Sequence, residues 1–69
     1  MAQHLRIGSI LEPIATGFDP ANITNVVVTN ITSAYVEMEY TFTPSGGPAE
    51  QRVVVRPWST AGPLRVLTD

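Results

Sequence analysis

The sequence predicts an all-β domain of short antiparallel strands, on three observations. Proline stands at positions 13, 20, 44, 48, 57 and 63. Each removes a backbone N–H and pushes the preceding residue out of the α region, so few windows are left for a helix. The apolar residues lean towards valine and isoleucine, which fit a pleated, half-buried surface. Finally, residues 35–43, YVEMEYTFT, alternate with period two: Val36, Met38, Tyr40 and Phe42 face one way, and Tyr35, Glu37, Glu39 and Thr41 the other.

The elements follow in chain order. Residues 5–14, LRIGSILEPI, read as a first strand, with Leu5, Ile7, Ser9 and Leu11 on one face and Arg6, Ile10, Glu12 and Ile14 on the other. Gly8 marks a bend or bulge within it. Residues 15–22 read as a loop around Gly17 and Asp19-Pro20, with Phe18 expected to fold back onto the body. Residues 23–32 form a second strand whose valines at 26, 27 and 28 place apolar groups on both faces. Its register with the next strand stays open. A three-residue loop at 32–34 sends Val26 and Val28 inward, and a two-residue loop sends Val27 inward.

The third strand, 35–43, is followed by PSGGPA and a fourth strand at 50–58. Placing Thr43 opposite Glu50 sets Val53, Val55 and Pro57 against Tyr40, Met38 and Val36 on the inner face. On the outer face the same register pairs Thr41 with Arg52, Glu37 with Arg56 and Tyr35 with Trp58. STAGP then reads as a tight irregular turn that a single 3₁₀ turn fits, and LRVL at 64–67 forms a short last strand with Leu64 and Val66 on one face.

Five short strands joined by a long loop, a tight turn, a hairpin and a 3₁₀-like turn resemble the SH3-like barrels in their order. The expected fold is therefore a small five-stranded antiparallel SH3-like barrel, with residues 1–69 forming one domain. The resemblance is architectural and no motif carries it. The acidic loop and aromatic cluster of peptide-binding SH3 domains are absent, with only Tyr35 and Trp58 to stand in.

A chain of 69 residues buries only about 60% of its unfolded surface, and with no cysteine it has no disulfide or thiolate metal site to brace it. Good packing or a partner must compensate. The net charge is −2, with arginines at 6, 52, 56 and 65 and no lysine. Such a balance disfavours nucleic acid, whose affinity follows the phosphates a basic patch neutralises. The first ten residues lack the basic and apolar regions of a signal peptide, and no apolar run reaches the roughly 18 residues of a membrane span. The expected location is cytoplasmic or virion-associated. The Asn-Ile-Thr tripeptides at 22–24 and 30–32 are accordingly expected to be strand sequence and not glycosylation sites. The initial methionine and the lack of a terminal linker lead to the expectation of a complete chain.

No catalytic constellation, cofactor site or metal site is expected. His4 is the only histidine and is read as a solvated side chain near a terminus. Glu37 and Glu39 are expected to be neutralised by Arg52 and Arg56, and Ser45-Gly46-Gly47 lacks the lysine and helix of a phosphate-binding loop. The candidate partner-binding surface is Tyr35, Arg56 and Trp58, with Arg52 and Glu37 alongside, because Tyr, Trp and Arg are enriched where binding energy concentrates. For Trp58, a cap on one end of the barrel is the favoured reading, since a single tryptophan in a small core often takes that place. The stretch NVVVTNI carries no charge and has high β propensity, a template for pairing with another chain. The expected function is a non-catalytic protein-interaction module that self-associates. The alternatives are a virion or other assembly component, or a small-barrel nucleic-acid binder stacking bases on Tyr35 and Trp58.

Overall fold

The structure, a computed structural model, describes residues 5–62 and 64–68. His4, and Pro63 in the predicted STAGP turn, lie outside the described residues. The strands are β1 (Ile10–Leu11), β2 (Ile23–Ile31), β3 (Tyr35–Phe42), β4 (Glu50–Pro57) and β5 (Val66–Thr68). They form one antiparallel sheet in the order β4-β3-β2-β1-β5. Two 3₁₀ helices, Pro13–Thr16 and Pro20–Asn22, precede β2, and one helical turn, α1 (Trp58–Ala61), follows β4.

The all-β class is as the sequence predicts. The sheet, however, is open: β4 and β5 lie at opposite edges and are not joined. Closure into the expected SH3-like barrel is therefore not seen. Short pairing at one side is the physical reason. β1 has two residues and β5 three, so that side of the sheet offers few ladder bonds, while helical turns cover the core in its place.

The first strand is much shorter than expected. Gly8 at φ 97° turns the chain, Ser9 N–H donates to Arg6 O at 3.0 Å, and Arg6 N–H donates to Ser9 Oγ at 3.0 Å. The positive φ at Gly8 makes the bend that the sequence predicts there, while its N–H still donates to Val28 O at 2.8 Å, and Ile7 beside it is 65% exposed. Pro13 then opens the first 3₁₀ helix, its missing N–H costing nothing at that position.

β2 carries two bulges, and they settle which valines turn inward. The turn to β3 has the shorter of the two expected loops, with Thr32 N–H donating to Tyr35 O at 2.9 Å. Yet Val26 and Val28 are buried. The link between loop length and facing fails because the register shifts at Thr29 and again between Thr24 and Val27. At the second shift Asn25 sits at φ 55°, a region that Asn enters more readily than most residues. The inward residues of β2 are thus Ile23, Val26, Val28 and Ile31, spaced three, two and three apart. They pack with Val36, Met38 and Tyr40 of β3, with Leu11 and Ala15, and with Leu64, which seals the core from beyond α1.

The β3–β4 hairpin forms, but one residue out of the expected register. Phe42, not Thr43, lies opposite Glu50, so Met38 faces Val54, Glu39 faces Val53 and Glu37 faces Val55. A one-residue slip turns a strand over completely. Arg52, Val54 and Arg56 therefore share the core side, and Val53 and Val55 the outer side. The reason is energetic. Outward ion pairs of Arg56 with Glu37 would contribute less than about 1 kcal/mol each. Turned inward at the margin, Arg56 instead donates to two backbone carbonyls, and the Arg52 guanidinium lies 4.7 Å over the Phe42 ring.

Candidate interaction surface

Each residue of the sequence-derived patch has a definite place, and the patch is divided between the two faces of the sheet. Tyr35 stands opposite Pro57, and Glu37 opposite Val55, on the outer face. Arg52 and Arg56 point to the other face. Trp58 opens α1 beyond the end of β4. The expected pairs Tyr35–Trp58, Glu37–Arg56 and Thr41–Arg52 are not formed across the hairpin. Glu37 instead accepts a hydrogen bond from Thr29 Oγ1 at 2.9 Å, and Glu39 accepts one from Gln51 Nε2 at 3.5 Å. The two carboxylates thus take hydrogen bonds from uncharged neighbours in place of the expected arginine pairs.

Arg56 and Trp58 act as braces. Arg56 Nη1 donates to Ala15 O at 3.3 Å and Nη2 to Thr60 O at 2.7 Å, tying β4 to the first 3₁₀ helix and to α1. The guanidinium lies against Gly17, which caps that helix at φ 83°, and a Cβ there would collide with it. Trp58 is 36% exposed and its Nε1 donates to Thr32 O at 2.7 Å, holding the β2–β3 turn. The side chain of Thr32 holds the same turn from within, its Oγ1 accepting from Ala34 N–H and Tyr35 N–H at 3.1 and 3.0 Å.

Arg52 sits apart from both. It pairs with Glu50 at 3.5 Å and lines a cleft with Phe18, Asp19, Ile23, Tyr40 and Phe42. Phe18 folds back as expected, its ring centroid 6.3 Å from that of Tyr40, although the residue remains 54% exposed. The cleft has a volume of about 240 Å³. That is below the roughly 300–1,000 Å³ of small-molecule sites. Among the described residues no group of three or more His, Cys, Asp or Glu is placed to hold a metal. No helix among them is long and apolar enough to cross a membrane.

The feature that sequence reasoning missed is the outer margin of β4. Val53 is 59% and Val55 47% exposed, whereas the expected register buried both. They lie beside Glu39 and Glu37 on a strand with one sheet neighbour among the described residues. The sequence held an ambiguous signal here, since valine at 53, 54 and 55 supplies an apolar residue to either face. Compared with known protein families, curated proteins and solved structures, the chain matches none.

Proposed function

We propose that this chain is a non-catalytic protein-interaction module that self-associates through its open sheet. The observation that carries the reading is β4: eight residues long, at the sheet edge, with Val53 and Val55 largely exposed. An edge strand presents a row of backbone donors and acceptors, and pairing with another chain satisfies them while withdrawing apolar side chains from water. The acidic groups support a non-catalytic role, because they are engaged in holding the surface together. Glu12 pairs with Arg65 at 3.2 Å and Glu50 with Arg52 at 3.5 Å, while Glu37 and Glu39 accept from Thr29 and Gln51.

A second reading, a structural component of a larger assembly, draws on the other edge of the sheet. β5 also has a single neighbour among the described residues. Joining β4 of one copy to β5 of the next is a head-to-tail contact, which generates rings or filaments.

Light scattering across a range of protein and salt concentrations tests the proposal. The expected mass is a multiple of the 7.5 kDa chain at micromolar concentration. A mass of 7.5 kDa at every concentration would refute self-association.

A further inference from the structure

We infer that β4 pairs with β4 of a second copy, antiparallel and about a two-fold axis, with Val53 opposite Val53. This rests on the self-association reading and specifies its geometry.

Three observations fix the register. The first is the direction of the backbone groups. Trp58 N–H donates to Ala34 O at 3.0 Å, in line with the pairing of Tyr35 to Pro57 and Val36 to Arg56. In an antiparallel ladder the hydrogen-bonded pairs alternate with non-bonded ones. Arg56, Val54, Arg52 and Glu50 therefore exchange bonds with β3, and Gln51, Val53 and Val55 direct their N–H and C=O groups to the free edge. Pro57 falls on that same side, where its lack of an N–H costs the β3 ladder nothing.

Second, a strand that offers alternate residues to its edge can pair with itself only in registers that place those residues opposite one another. Four such registers overlap five or more residues of the strand; the one with Val55 opposite Val55 sets Val53 against Pro57, which has no N–H to donate, and the other three differ in charge. With Val54 opposite Val54, Arg52 faces Arg56 twice. With Arg52 opposite Arg52, two guanidinium groups meet at the axis. With Val53 opposite Val53, Glu50 faces Arg56 twice and Arg52 faces Val54. Like charges directly opposite destabilise a sheet and opposite charges support it, so charge pattern selects the third.

Third, this register gathers the exposed valines. Val53 meets Val53 at the axis on the outer face, and Val55 flanks it opposite Gln51 of the second copy. About six inter-chain backbone hydrogen bonds form from residues 51, 53 and 55 of the two strands. The result is a continuous ten-stranded sheet with the two helical layers on its same face.

Site-specific cross-linking tests the register, since the chain has no cysteine of its own. Val53→Cys places two thiols opposite each other with Cα atoms about 5.5 Å apart, inside the range of a disulfide. Val55→Cys leaves the thiols four residues out of register. Under mild oxidation the first variant should form a covalent dimer at least tenfold faster than the second. In parallel, Val53→Pro removes an edge N–H without touching the β3 ladder, and should give a folded monomer by circular dichroism and light scattering. Equal cross-linking of both cysteine variants within a dimeric wild type would overturn the register and leave self-association standing. A ring or filament would overturn the two-fold pairing in favour of head-to-tail contact. A wild type that is monomeric throughout would overturn both this inference and the reading it rests on.

Discussion

Gly17→Ala is expected to unfold the domain more than a change of one methyl group on the surface should, and the reason is Arg56. Gly17 is exposed, so no core volume is at stake. Its φ of 83° lies in the left-handed region, where alanine costs about 1 kcal/mol relative to glycine. The added Cβ also displaces the Arg56 guanidinium, which bonds Ala15 O at 3.3 Å and Thr60 O at 2.7 Å. Hydrogen bonds to charged groups contribute about 1.5–3 kcal/mol each when buried. One of these is long and the other exposed, so about 1 kcal/mol each is the better figure after discounting for solvent. The substitution should therefore cost about 3 kcal/mol, of which about 2 belong to Arg56.

The double-mutant cycle isolates that share. Arg56→Met keeps the aliphatic stem and removes the donors, at a cost of about 2 kcal/mol. Adding Gly17→Ala to it should cost only the backbone share, about 1 kcal/mol, so the two changes fall short of additivity by about 2 kcal/mol. Urea midpoints at constant m-value give the four stabilities. A domain of 69 residues is expected to hold only about 3–10 kcal/mol in total. The series is therefore run in sucrose, which raises the stability of all four proteins. Should Gly17→Ala cost the same with and without Arg56, the guanidinium would not be the brace described here.

Three further substitutions, at two positions, probe the bulge and the turn that set the register. Asn25→Val, which puts a β-branched residue at φ 55°, should cost about 2 kcal/mol, and Asn25→Gly should be neutral or stabilising by a few tenths; thermal melts followed by circular dichroism rank the pair, and equal stabilities would argue against a left-handed residue at the bulge. Trp58→Phe removes the 2.7 Å bond to Thr32 O at the β2–β3 turn and should cost about 1 kcal/mol in urea unfolding; an unchanged midpoint would mean the indole does not hold that turn.

Much of the architecture is legible in residues 35–43, where strict alternation of Val36, Met38, Tyr40 and Phe42 with polar partners leaves only one face for the core. Leu64 and Val66 are legible in the same way, and the glycines at 8 and 46 mark turns that the structure places at positive φ. Where valines run consecutively the information stops. At 26–28 and again at 53–55 either parity offers an apolar residue to the core, so the facing depends on bulges and loop length, which the pattern does not encode.

The division of the candidate surface has the same origin. Tyr35, Glu37, Arg52, Arg56 and Trp58 join into one patch only if β4 takes the register that pairs its arginines with glutamates. Those surface pairs are weak, and they lose to contacts the local pattern cannot show: a carbonyl at Ala15, forty-one residues away, and a ring at Phe42. The sequence by itself determined the all-β class, the strand positions in the central hairpins and most of the core of β3, because alternation and turn residues act over a few neighbours. Only the tertiary structure decided which way β4 faces, that the sheet stays open, and that Val53 and Val55 lie at its edge. Those outcomes rest on contacts between distant segments, whose energies exceed the preferences of any one strand.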